Sequence, residues 1–189
     1  MKKLLFLFSI LIIGFSCNQN QTTNQEQNDN IEEDFVTTPV DESQDFDQIG
    51  FDLMEEETIG NIQFDMKLET IENKIGEPEE KTKFEIWAAD GFEHQTRIYQ
   101  NNTLEIDYIK TEDNEIVCNM ITIYGNSQLK TSRGIGIGDS RTAVLKAYQK
   151  EIYDRNNPKS LIAGTIYGGV IFSFENDKVT SIFVGAGAE

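Results

Sequence analysis

The sequence predicts an α+β fold, read as a tandem repeat of a short helix followed by an antiparallel β-meander. Three observations carry this. Leu68, Ile71 and Ile75 fall on one helical face, with Gly76 placed to end the helix and Pro78 just beyond it. Short apolar runs follow, punctuated by pairs of Asp, Asn and Gly, the residues that accept tight-hairpin geometry. The arrangement then starts again. At an offset of 73, Ile62 falls on Ile135, Phe64 on Ile137, Ile71 on Val144 and Ile75 on Tyr148. The last two strands align nearer an offset of 63, Asn114 with Asp177 and Ile116 with Val179. An extra strand in the first half accounts for the difference.

The first unit spans 58–130. After its helix, strands are expected at 83–89, 92–99, 104–110 and 115–124, with breaks at Asp90-Gly91, Asn101-Asn102 and Asp113-Asn114. The second unit, 131–189, opens on Gly134-Ile135-Gly136-Ile137-Gly138-Asp139-Ser140 and leads into a helix bearing Val144, Ala147, Tyr148 and Ile152. Its strands are expected at 162–167, 170–175 and 178–184, turning at Gly168-Gly169 and Asn176-Asp177.

The chain begins differently. Lys2 and Lys3 precede an apolar run from Leu4 to Phe15, closed by Ser16-Cys17 and followed by Asn18-Gln19-Asn20. A positive start, a short apolar core and a small residue at the boundary describe a secretory signal at 1–16. The run is short of the roughly 20 residues a bilayer span needs. From 17 to 57 the composition is Asn, Gln, Thr and acid, with no Lys or Arg between Lys3 and Lys67. Few apolar side chains and charge of one sign do not offset the entropy of ordering, so this stretch is expected to be a disordered acidic tether. Phe46, Ile49 and Leu53 are spaced as a short docking element within it.

The formal net charge is −17, two units more negative without Lys2 and Lys3. That balance excludes nucleic acid as a partner, since phosphate recognition demands Lys and Arg. Cys17 and Cys118 are the two cysteines. Cys118 lies in an apolar run and is expected to be a buried thiol.

Several patterns with chemical associations have plainer explanations. The Gly134–Gly138 run lacks both phosphate-loop spacings and carries Asp139 where phosphate would sit, so Asp139 or Ser140 is expected to cap a helix. Ser127-x-x-Lys130 lacks the companion motifs of a serine acyltransferase. His94, the only histidine, is expected to face solvent on a strand. Asp41, Ser43, Asp45 and Asp47 alternate as calcium ligands do, yet Phe46 replaces the turn glycine and Asp52 the terminal Glu. No cofactor or metal is expected. Trp87, Phe92, Tyr99 and Tyr108 place aromatics on the central strands; such residues are more often core than contact, and on a concave, exposed sheet face they are the candidate binding surface, Trp87 and Tyr99 first.

The residues carry two resemblances. Ser16-Cys17 after an apolar run resembles the lipobox of Gram-negative lipoproteins, although Gly14-Phe15-Ser16 departs from the usual flavour; it implies a lipid on the Cys17 thiol. The Ile-x-Ile-Gly-Asp-Ser lead at 135–140 and the closing Phe-Glu-Asn-Asp-Lys-Val-Thr-Ser-Ile hairpin at 174–182 resemble the SmpA/OmlA outer-membrane lipoproteins. They also resemble the tandem fold of β-lactamase-inhibitory proteins. These likenesses imply short helices packed on one face of a curved antiparallel sheet, and protein binding without catalysis. The expectation is a non-enzymatic envelope lipoprotein, anchored to the membrane through Cys17 and binding a protein partner. An inhibitor or scavenger module and an envelope sensor of small ligands or cations are the alternatives. Asn18 in place of an Asp after the cysteine favours the outer membrane. Replacing Cys17 with Ser should abolish incorporation of labelled fatty acid; continued labelling would show that the lipid is elsewhere.

Overall fold

A computed structural model describes residues 43–187; the signal at 1–16, Cys17 and the tether up to residue 42 lie outside the described residues. The described elements run α1 (Phe46–Glu56), β1 (Thr58–Ile59), β2 (Ile62–Gln63), α2 (Leu68–Ile75), β3 (Glu80–Lys81), β4 (Glu85–Ile86), β5 (Glu93–Tyr99), β6 (Leu104–Lys110), β7 (Ile116–Tyr124), α3 (Arg141–Ala147), β8 (Ser160–Thr165), β9 (Gly168–Glu175) and β10 (Lys178–Gly185). The fold is α+β. β1 and β2 form a small hairpin, and the remaining strands make one antiparallel eight-stranded sheet in the order β3-β5-β6-β7-β10-β9-β8, with β4 also on the outer edge of β5.

The sheet is two meanders, β5-β6-β7 and β8-β9-β10, joined where β7 pairs with β10. Because successive side chains alternate between faces, the register sorts the strands into rows. Tyr99, Leu104, Ile123, Ile182, Phe172 and Leu161 are paired in turn across six strands, and all are buried. Arg97, Ile106, Ile121, Val184, Val170 and Ala163 form a second such row. Between them on the opposite face runs Ile98, Glu105, Thr122, Phe183, Ile171 and Ile162, each only half-buried. Leu53 of α1, Ile71 of α2 and Val144 of α3 join the buried rows in one apolar cluster.

The helices form for local reasons. α2 stops at Gly76, which adopts φ 90° and donates its N–H to the Glu72 carbonyl. Ser140 caps α3 by accepting from the Ala143 N–H at 3.1 Å. The glycine run before it lets the chain fold back on Lys130. Asp139 holds that turn, accepting from the Gly136 N–H at 2.8 Å and the Lys130 ammonium at 3.1 Å.

The tether expectation needs correction over its last residues. Residues 46–56 are α1, packed against β8 and β9. Asp45 caps it, accepting from the N–H groups of Asp47 and Gln48; Thr165 donates to Asp47 and Gln48 to Asp52. Of the carboxylates spaced like calcium ligands, Asp45, Asp47 and Asp52 are thus helix-cap and side-chain acceptors, and Asp41 lies outside the described residues. At the far end Glu57 is buried, its carboxylate accepting from the Ser132 N–H at 2.7 Å and the Tyr148 hydroxyl at 2.7 Å. Arg133 lies over the Tyr148 ring and pairs with Glu151.

Two further expectations change. Of the strand expected at 83–89 only β4, at 85–86, forms; β3 lies ahead of that span, at 80–81. Gly168-Gly169 do not turn the chain; Ile166 and Tyr167 do, and both glycines lie in β9. Their smallness serves α1 instead. A Cβ on Gly50 would sit 1.9 Å from the Gly168 carbonyl oxygen, and one on Gly164 2.4 Å from the Gly50 Cα, so helix and hairpin meet backbone to backbone. Gly50→Ala should therefore cost at least about 2 kcal/mol, read from the urea midpoint; an unchanged midpoint would show that α1 contributes nothing to the fold.

Candidate functional site

The most heavily organised polar group of the described residues surrounds His94. Strand alternation puts His94 of β5 on the face opposite the buried rows, diagonal to Asp107 of β6, because Thr96 is Asp107's direct partner. A register shift between β6 and β7 at Asp107/Tyr108 leaves Asn119 as the extra residue, while Met120 pairs with Asp107. From these positions His94 Nδ1 meets Asp107 Oδ2 at 2.8 Å, and Asn119 Nδ2 donates to the same oxygen at 3.1 Å. His94 Nε2 meets Asp90 Oδ2 at 2.9 Å. Asp90 also accepts the Phe92 N–H at 3.0 Å, which closes the turn that brings it there. The Trp87 indole lies flat on the imidazole, with ring centres 3.7 Å apart and planes inclined by 3°.

The His94 side chain is only 1% exposed, so the expected solvent-facing histidine is corrected to a buried one. Two carboxylates and an aromatic ring replace the water that a lone buried imidazole would lose. Burial holds the Asp107 carboxyl above the ordinary aspartate range, against the opposing pull of Asn119 and His94. Asp90 lies below that range: its partial burial works against ionisation, but the Phe92 N–H and His94 outweigh it. As an imidazolium, His94 donates from both nitrogens. As a neutral ring it needs one carboxyl to carry a proton, and Asp107 is the one placed for that. With both nitrogens occupied, the ring works as an electrostatic clamp that fixes the Trp87 plane.

Beside this clamp the uncovered face carries a hollow of about 340 Å³, lined by Trp87, Glu105, Asp107, Met120, Thr122 and Phe183 among others. Asp107 Oδ1 is buried without a hydrogen-bond partner. Among the described residues no cation pairs with Glu105. A larger hollow, about 460 Å³, lies at the N-terminus of α1 between Phe46 and Tyr153. Its carboxylates are engaged, Asp45 and Asp47 as above and Asp154 by the Asn156 N–H.

The aromatics singled out from the sequence separate into two pairs. Tyr99 and Tyr108 are corrected from candidate surface to core: both are fully buried, with their hydroxyls 3.1 Å apart under the Arg97–Glu72 pair of β5 and α2. Burial pushes both phenols above their usual range. Their strand positions are the cause, since Tyr99 and Tyr108 alternate with Ile98 and Asp107. Trp87 and Phe92 stay at the surface, Phe92 being 40% exposed, on the turn that carries Asp90. Cys118 is fully buried, and burial pushes its thiol well above the usual range. Asp107 and Phe183 are residues of the site that sequence reasoning missed; alternation along β6 and β10 was the available signal.

Comparison with known proteins finds no family model that matches the chain, no similar curated protein and no similar solved structure. Among the described residues, no helix is long and apolar enough to cross a membrane.

The raised Asp107 carboxyl makes stability depend on pH in a defined direction. The share it contributes is complete below the unfolded value of about 4 and is lost as pH climbs through the higher folded value. Asp107→Asn removes this dependence, so its stability relative to the parent chain should rise as pH climbs from about 4. Urea midpoints at fixed pH give the result; a relative stability that falls with pH would contradict the burial-dominated account.

Proposed function

We propose that this chain is a non-enzymatic lipoprotein of the cell envelope, held at the membrane by a lipid on Cys17, that binds a protein partner through the sheet face opposite its core. The half-buried row across that face is the observation that supports this reading most directly. Met120, Phe183 and Ile171 lie there with Trp87 alongside, outside the core cluster, and the C-terminal stretch at Gly185 and Gly187 lies against them. Interfaces draw their affinity from such aromatic and thioether anchors on a rigid scaffold. Trp87 and Phe92 remain the contact aromatics of this reading.

The tandem architecture belongs to the same proposal. Two helix-plus-meander units, related by an approximate two-fold axis through the β7–β10 pair, account for the strand order, which places each meander's last strand at the centre. At the 63-residue offset Ile121 corresponds to Val184, and these two are paired neighbours. Helices from both units then share one face of a curved sheet, leaving the other for a partner. The outer membrane is the proposed location, following Asn18.

A non-enzymatic role is favoured by the His94 clamp, whose two ring nitrogens are both directed at carboxylates. The hollow beside it gives weight to a ligand-binding variant of the proposal.

Purification of the lipidated chain after cross-linking in membranes tests the reading. Met120→Glu combined with Phe183→Glu should remove a recurrent envelope partner while leaving thermal unfolding within a few degrees. Equal recovery of the partner from a folded double variant would contradict binding through this face.

A further inference from the structure

The hollow beside the clamp is chemically lopsided. Of its walls, Glu105 and Asp107 are acidic, Trp87 and Phe183 aromatic, and Met120 a polarisable thioether, and no Lys, Arg or His lines it. Glu105 has no cationic partner among the described residues, and Asp107 Oδ1 is buried and unpartnered. Buried carboxylate oxygens ordinarily have a hydrogen-bond partner. The clamp keeps this wall fixed: His94 and Asn119 hold Asp107 through Oδ2, and one face of Trp87 is covered by the imidazole. What Trp87 offers the hollow is the remainder of its indole.

We infer that this hollow is a subsite for an arginine side chain presented by the partner protein. The inference rests on the protein-binding reading above and names the chemistry recognised. Three properties converge on a guanidinium. It is planar and stacks on indole and phenyl rings. It carries a permanent positive charge, which Glu105 and Asp107 complement. It is also less strongly hydrated than an ammonium, so it gives up water more readily in a hollow with aromatic walls. The net charge of −17 adds a long-range attraction for a basic partner.

Trp87 is the chain's only tryptophan, so its fluorescence reports on this site alone. The full lipidated chain in detergent is titrated with Nα-acetyl-arginine amide, with the neutral Nα-acetyl-citrulline amide and with spermidine. The arginine derivative should give a saturable change with a dissociation constant of about 1–10 mM, weakening as salt rises. The citrulline compound should bind about tenfold more weakly. Glu105→Gln, which keeps shape and removes charge, should weaken the arginine derivative about threefold. Indistinguishable arginine and citrulline responses, no saturable response, or an unaffected Glu105→Gln variant would each overturn the inference. Tighter binding of spermidine would overturn it too, in favour of a small-amine site. A partner lost from the charged-face variant without any arginine response refutes this subsite and spares the protein-binding reading. An arginine response with no partner ever captured does the reverse.

Discussion

The register between β7 and β10 is the constraint on which the rest of the structure depends. Four paired positions, from Ile121–Val184 to Tyr124–Ser181, join one meander to the other. With that register, Ile123 meets Ile182 and Thr122 meets Phe183, so two buried rows and one uncovered row run unbroken across six strands. A slip of one residue would send Ile182 and Val184 to the uncovered face and Phe183 into the core. The buried rows supply the apolar area that drives folding, at roughly 25 cal/mol per Å². The row on the opposite face is the one the proposed partner would meet.

Two polar devices flank this frame and do different work. On the helix side, the buried Glu57 carboxylate ties the end of α1 to Ser132 and to Tyr148 at the C-terminal end of α3. On the uncovered side, the Asp90–His94–Asp107 clamp spends both imidazole nitrogens on holding Trp87 in place. Removing Glu57 or Asp107 would leave buried polar partners unsatisfied, a change that typically costs about 1–3 kcal/mol. The clamp forms one wall of the hollow between Trp87 and Phe183.

Local signals made part of this legible in the sequence. β6 has the expected limits, because Asn101-Asn102 and Asp113-Asn114 bracket an alternating run, and α2 ends where Gly76 permits. α1 was half legible: Phe46, Ile49 and Leu53 carry its apolar spacing, but its acids read as tether, and the contact of Gly50 with Gly164 and Gly168 leaves no mark in the apolar pattern. The same contact explains why Gly168-Gly169 looked like a turn. Tyr99 and Tyr108 stay open between core and surface in the sequence because aromatic content does not reveal which face a strand buries; the register puts both in the core. The clamp was illegible for a further reason. Asp90, His94 and Asp107 are brought together by a turn, a diagonal pairing and a bulge, and only their combination makes a lone histidine a buried one.

The central claim is that the sheet has one face for the core and one for a partner. Photo-cross-linking in intact membranes tests it most directly, with a photoreactive amino acid placed in turn at Thr122, Phe183, Glu69 and Lys146. The account predicts that Thr122 and Phe183 on the uncovered face trap the same envelope protein, and that the exposed helix positions Glu69 and Lys146 do not. Capture from Glu69 and Lys146 with none from Thr122 and Phe183 would contradict it.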